Sequence, residues 1–323
     1  MYSMNLNYKL LIDDFLKFKR SCGYKYISEQ TTLKAFYIYT KDNQNSKLGL
    51  SKSFLEKWSL PNVKESRKSL SNRVSVIREF SIYLNQLGYK VYVLKAIKNS
   101  KNKSFIPYVF THVQMKQIFT IIDTWPKSSK NSYNSNEVYP ILFRLLYGCG
   151  LRISETLNLK INNVDTDTGV ISIDTAKYDK KRVAIMHDSL KYMCRRYKEK
   201  YLQLKDVNST FLQHKDGKSR DKHQVNNFFR QILYKANIAY LGRGKGPYLH
   251  NLRHTFACHS FYEMHKKGID MQVSLSLLST YLGHSSIKAT EKYLRLTMDI
   301  FPDIIVDVGA ISSGIYLEIK YEK

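Results

Sequence analysis

The sequence predicts a mainly α protein with a small antiparallel β-sheet, an α+β chain divided into two domains. Three observations predict it. Apolar residues recur at three- and four-residue spacing through most of the chain, the mark of amphipathic helices. Two short β-branched runs, GVISI and RVAIM, flank DTAKYDKK and read as one hairpin. Between two periodic regions lies KAIKNSKNKSF, polar, basic and without periodicity, which reads as a linker. The boundaries expected are a helical domain at 1–94, the basic linker at 95–105, a second domain at 106–300 and a C-terminal tail at 301–323.

The elements follow in order. Residues 5–20 place Tyr8, Leu11, Ile12, Phe15 and Phe18 at helical spacing, and TTLKAFYIYTKDN and SKSFLEKW read as two further helices. The longest candidate, ESRKSLSNRVSVIREFSIYLNQLGYK, carries an apolar stripe of Leu70, Val74, Ile77, Phe80 and Leu84, with Gly88 as its C-terminal stop. Its opposite face carries Lys64, Arg67, Lys68, Arg73 and Arg78. That face fits either a solvated helix surface or a helix lying against a phosphate backbone. Beyond the linker, THVQMKQIFTIID is helical, and VYPILFRLLYGCG is a buried helix ending at Gly148 and Gly150. DKHQVNNFFRQILYKANI turns Val225, Phe228, Phe229 and Ile232 inward, and HNLRHTFACHSFYEMHKKG is a helix stopped by Gly268.

Composition narrows the function. The chain has 323 residues with 52 Lys+Arg against 27 Asp+Glu, a formal net charge of +25. Such an excess favours a polyanionic partner, of which nucleic acid is the commonest. Hydrophobic residues at 43% support a packed core, and no apolar run approaches the roughly 20 residues of a membrane span. With no signal peptide recognisable at the N-terminus, a cytoplasmic protein is expected. Cys22, Cys149, Cys194 and Cys258 are scattered without CxxC pairing, and the nine histidines form no HExxH, so neither a metal nor another cofactor is expected. GRGKG, with Arg243 and Lys245, lacks the spacing of a phosphate-binding loop and reads as a basic loop near DNA.

Four segments carry chemistry together: GCGLRISE at 148–155, the hairpin with Lys177, HNLRH at 250–254, and LGH at 282–284 followed by Tyr293. Singly each has an ordinary explanation: Arg152 pairing with Glu155, Lys177 solvated, His250 capping a helix. Jointly they supply two arginines, a lysine, two histidines and a tyrosine, the set that phosphodiester transfer demands. The transition state spreads negative charge over non-bridging oxygens, which a guanidinium contacts in pairs. A polarised phenol is a competent nucleophile, and the expelled 5′-hydroxyl needs a general acid such as lysine. No Asp/Glu cluster suited to Mg²⁺ accompanies them, so side-chain cations would do the work of a metal.

On these residues the chain resembles the tyrosine recombinases, or phage-type integrases. GLRISE matches the family's arginine motif at Arg152, KYDKKR its hairpin lysine at Lys177, and HNLR its HxxR box at His250 and Arg253. LGH ends in His284, and Tyr293 follows nine residues later, as in the family. The resemblance implies that Tyr293 attacks the scissile phosphate to leave a 3′-phosphotyrosyl link. Arg152 and Arg253 would clamp the phosphate and Lys177 would protonate the leaving hydroxyl. His250 and His284 would orient the phosphate or help move the tyrosine proton, and Glu155 would support Arg152. It further implies a core-binding domain at 1–94 and a catalytic domain closing as a clamp around double-stranded DNA. A homotetramer on synapsed sites, with accessory DNA-bending or directionality proteins, belongs to the same implication. A mobile-element integrase or transposon-type recombinase is the expected role. The alternatives are a type IB topoisomerase and a DNA-binding protein that has lost catalysis. The tail offers IIVDV and IYLEIKY, which either dock on a neighbouring subunit or pack on their own domain.

Overall fold

The computed structural model describes residues 7–43, 50–63, 65–97, 107–126, 135–174, 181–214, 216–242, 246–284 and 288–301. Lys64, Lys177, Arg243, Lys245 and the apolar tail motifs lie outside them, as does most of the predicted linker. The chain forms two compact units, Met1–Phe105 and Ile106–Lys323.

The first unit is built from α1 (Tyr8–Ser21), α2 (Ile27–Asp42), α3 (Lys52–Trp58) and α4 (Arg67–Gln86). Asn7, Ser51 and Ser66 cap α1, α3 and α4 by accepting a backbone N–H three residues on, which satisfies donors that a helix start leaves unpaired. The predicted stripe of α4 is buried at all five positions, and Gly88 takes a positive φ of 88° just past the helix end. Phe18 departs from expectation: it is 43% exposed, while Leu16 is buried beside Tyr8, Ile12 and Phe15. Those four positions define one helix face, and Phe18 falls about a quarter-turn off it. Ser71 donates its hydroxyl to the carbonyl of Ile97 at 3.1 Å, so the chain stays packed on this unit through residue 97, past the predicted boundary at 94.

The basic face of α4 also differs from expectation. Arg67 and Lys68 are exposed on its first turn. Arg73 instead turns inward: it pairs with Glu65 through Nε at 2.9 Å and Nη2 at 2.8 Å, and donates to the carbonyls of Trp58 and Leu60. Arg78 donates to the carbonyl of Leu94. Both tie the helix to the chain around it, because carbonyls left over at the end of α3 and in the segment after α4 need donors.

The second unit contains α5 (His112–Asp123), α6 (Ser135–Gly148), α7 (Ile153–Leu157), β1 (Val170–Asp174), β2 (Lys181–Ile185), α8 (Asp188–Tyr201) and α9 (Lys222–Lys235). It continues with α10 (Asn251–Lys266), α11 (Met271–Leu282) and α12 (Lys288–Ile300). α6 buries Val138, Ile141, Leu142, Phe143, Leu145 and Leu146; a helix buried on nearly all sides is the centre of its unit. β1 and β2 pair antiparallel, with Ile171 opposite Ala184 and Ile173 opposite Arg182. Those four residues are buried, while Val183 and Ile185 are 52% and 64% exposed. The strand alternation thus sends an arginine to the inner face. A separate apolar cluster unites α10, α11 and α12 through Ala257, Cys258, Phe261, Leu275, Leu278, Leu282, Tyr293 and Leu296.

Candidate active site

The site begins at the turn after α6. Gly150 has φ +59°, and a Cβ there would lie 2.5 Å from the ring of Phe256, so glycine is required. Two residues on, Arg152 takes the N-cap position of α7. Its backbone N–H donates to Glu155 Oε2 at 2.8 Å and its guanidinium to Oε1 at 2.6 Å. Glu155 in turn accepts from Arg182 Nη2 at 2.7 Å and lies 3.8 Å from Arg253 Nη1. Burial pushes the Glu155 carboxyl up, but Arg182 and the hydrogen bonds from Arg152 outweigh it and hold the group below its usual range. One carboxylate therefore serves three guanidiniums.

The end of α11 supplies the rest of their acceptors. The carbonyls of Tyr281, Leu282 and Gly283 accept from Arg182 at 2.7 Å, Arg253 at 2.5 Å and Arg152 at 3.4 Å. A helix C-terminus leaves its last carbonyls unpaired and carries partial negative charge, so three cations suit it. Gly283 closes the helix in the left-handed region at φ +62°, and a Cβ there would meet Arg182 Cδ at 2.8 Å. The leucine and glycine of LGH thus present backbone carbonyls to the arginines. Arg253, 1% exposed, also donates to the carbonyl of Gly150 at 2.5 Å. Burial and the charges of Arg152 and Arg182 lower its pKa to about 10.

Helix α10 delivers His250, at its N-cap, then Arg253 and His254. The rings of His250 and His254 meet edge to face at 4.6 Å. Tyr293 on α12 is 1% exposed, and its hydroxyl shares a hydrogen bond of 2.9 Å with Nδ1 of His254. His284 lies nearly parallel to the tyrosine ring at 6.0 Å and 16°, with its own Nδ1 bonded to Thr290 Oγ1 at 2.8 Å. Burial pushes the Tyr293 phenol up to about 12, against the pull of Arg253 and Arg152. Burial, then neighbouring positive charge, lowers His250 to about 4, His254 to about 3 and His284 to about 4, so all three imidazoles are neutral at neutral pH. Lys292 stands over the tyrosine ring at 5.0 Å; desolvation and Arg253 lower its pKa.

The structure brings together Arg152, Glu155, His250, Arg253, His284 and Tyr293, six of the residues the sequence singled out. It adds Arg182, His254, Thr290 and Lys292. Arg182 was legible only through period two: Arg182, Ala184 and Met186 alternate with Lys181, Val183 and Ile185, and reading RVAIM as a β-branched strand gave its arginine no role. Three arginines and a lysine set against one carboxylate leave a positive surplus around a buried phenol. Such a site can receive an anion and stabilise charge that grows on it. Among the described residues no group of three or more His, Cys, Asp or Glu side chains is placed to hold a metal ion.

Comparison with known proteins gives concordant results. The family model described as the phage integrase family matches residues 108–299. Tyrosine recombinase XerA of Pyrococcus horikoshii is 27% identical over 261 residues, covering 77% of this chain and 80% of that protein. In fold, the chain resembles a XerH site-specific recombinase bound to palindromic difH substrate in a post-cleavage complex. The TM-score is 0.60 at 19% identity, over 85% of this chain and 77% of that one. It also resembles the Tn1549 transposon integrase in complex with a circular intermediate DNA, with a TM-score of 0.61 at 16% identity over 88% and 94% of the two chains.

Proposed function

The chain belongs to the phage integrase family, and on that footing we propose that it is a site-specific DNA recombinase that cuts and rejoins strands through a phosphotyrosyl link on Tyr293. The family match favours this reading over type IB topoisomerase-like relaxation. The observation that carries it is the buried phenol of Tyr293 facing a surplus of guanidinium charge held by a single carboxylate.

Arg152 and Arg253 hold the non-bridging oxygens of the scissile phosphate. Each guanidinium keeps N–H donors beyond those bonded to Glu155 and the carbonyls, and it stays charged throughout. Glu155 and Arg182 fix their orientation. Attack by the Tyr293 oxygen forms the O–P bond and expels the 5′-hydroxyl, which Lys177 protonates. Attack by a second 5′-hydroxyl reverses the chemistry, and the bond energy is conserved in the phosphodiester. His250 and His284 orient the phosphate beside the tyrosine.

The substrate is double-stranded DNA carrying recombination sites, synapsed by a homotetramer, with accessory DNA-bending or directionality proteins where direction must be set. The helical unit before the linker serves as the core-binding domain, with Arg67 and Lys68 on its exposed face; Arg243 and Lys245, in the basic sequence GRGKG of the second unit, add DNA contacts. Transposition or integration of a mobile element, in the cytoplasm, is the role that best fits these features. Among the described residues no helix is long and apolar enough to cross a membrane.

The test is an SDS-resistant protein–DNA adduct on nicked duplexes drawn from the DNA flanking the gene. Wild type should form it and Tyr293→Phe should not. An adduct that persists in Tyr293→Phe would remove the tyrosine from its role. Sequence-independent plasmid relaxation without joining of sites would favour the topoisomerase reading.

A further inference from the structure

We propose that His254 is a further catalytic residue, the base that takes the phenolic proton of Tyr293 as its oxygen attacks phosphorus. This assignment rests on the strand-cleavage reading above and deepens it. Two histidines, His254 and His284, contact Tyr293, and a third, His250, packs behind His254. His284 faces the tyrosine ring, with its Nδ1 committed to Thr290 Oγ1 at 2.8 Å. His250 packs edge to face on His254. Among the described residues, the hydrogen bond at the tyrosine oxygen is made by His254, whose Nδ1 lies 2.9 Å from it. That distance meets the requirement for a base within direct reach of the proton it removes.

The surroundings of His254 explain why it serves as an acceptor. On its own helix stand His250 and Arg253, from the end of α11 comes His284, and from α12 come Lys292 and Tyr293. Burial and the positive groups among these keep the imidazole neutral. With its proton on Nε2, it offers an Nδ1 lone pair to the phenol. An arriving phosphodiester brings negative charge into the same pocket and stabilises the imidazolium formed when the proton transfers.

The step balances. The Tyr293 O–P bond forms and the P–O5′ bond breaks. The phenolic proton passes to Nδ1 of His254, and the departing O5′ takes a proton from a separate acid, assigned above to Lys177. Reversal returns the first proton to the tyrosine oxygen as the new 5′-hydroxyl attacks.

The experiment compares wild type, His254→Gln and His254→Asn in single-turnover adduct formation on the nicked flanking duplexes, with DNA affinity and thermal melting measured on the same samples. An amide preserves a polar contact but cannot hold the proton. The amide variants are expected to cleave about 10²–10⁴-fold more slowly at neutral pH, the usual contribution of a positioned base, with DNA affinity unchanged. Their log rates should climb with pH towards the phenol pKa, where wild type has reached a plateau. A duplex with a 5′-bridging phosphorothiolate, whose sulfur leaves without being protonated, should not rescue them.

Wild-type rates in either folded variant would overturn the assignment. Rescue by the phosphorothiolate would move His254 to the leaving group. A loss that is uniform with pH and tracks the folded fraction would reduce it to packing. Failure of wild type itself to form an adduct would overturn the recombinase reading and this assignment together, and so is distinguishable from failure of the proton assignment alone.

Discussion

Arg73 in the first unit and Arg253 in the second are both folded inward, yet they are compensated in opposite ways. Arg73 has its own carboxylate, Glu65, which it grips through two nitrogens, and it fills its remaining valence with the carbonyls of Trp58 and Leu60. Its charge is spent inside the unit. Arg253 shares Glu155 with Arg152 and Arg182, and the three lean on the backbone carbonyls at the end of α11. Carbonyl dipoles orient guanidiniums without cancelling their charge. A neutralised arginine holds a fold together, whereas arginines that outnumber their acids await an anion.

Acid should separate the two units most. All nine histidines lie between residues 106 and 323, and none lies in residues 1–105. His254 and His259, 6% and 5% exposed, have pKa values lowered from 6.5 to about 3 and about 4. A depressed folded pKa means that the unfolded chain binds protons first. The stability tied to the neutral imidazoles is therefore present above the unfolded value of about 6.5 and is lost as pH falls from there towards 4. At about 1.4 kcal/mol per pK unit, the two residues together cost several kcal/mol across that range. The chain's two tryptophans, Trp58 and Trp125, fall one in each unit. Between pH 6.5 and 5 the melting transition seen at Trp125 should fall while that seen at Trp58 holds. Equal shifts at both would break the comparison.

Glu155→Gln should come next. Removing the one carboxylate leaves three guanidiniums unopposed, and breaking a buried pair costs about 3–5 kcal/mol. Denaturant unfolding followed at Trp125 should lose about that much. A loss no larger than that of a surface substitution would mean that the α11 carbonyls suffice alone. Arg73→Met should lower the Trp58 transition by about 1.5–3 kcal/mol, the worth of hydrogen bonds to a charged group. It should leave the cleavage rate of DNA-bound protein unchanged, and a fall in that rate would show that Arg73 acts beyond its own unit. Smallest of all is Lys68→Ala, at an exposed position of α4. Stability should stay within about 0.5 kcal/mol, while the salt dependence of DNA binding should flatten by about one in slope. An unchanged slope would place Lys68 away from the phosphate backbone.

Much of this molecule was legible in advance because its signals are local. The stripe of α4, the stop at Gly88 and the sheet from two β-branched runs each depend on residues a few positions apart. The candidate residues Arg152, His250, Arg253, His284 and Tyr293 stood out for another reason: the strand transfer proposed for this chain calls for those side-chain types, and their order along the chain is specific. Arg73 and Arg78 looked like surface cations because a helical face shows where a side chain starts and not where its long stem ends. The carbonyls that capture them belong to Trp58, Leu60 and Leu94, on segments that the pattern of α4 does not mention.

The sequence by itself determined the helical periodicity, the positive charge and the chemical types offered as candidate reacting groups, because these follow from side-chain chemistry and short-range geometry. Tertiary structure alone decided the partners. It set Arg182 against Glu155 across 27 residues, laid the last carbonyls of α11 under three guanidiniums, and brought His254 to the hydroxyl of Tyr293 across 39 residues. The physical reason is that such contacts form only when separate elements pack, and packing depends on the shape and burial of the whole unit.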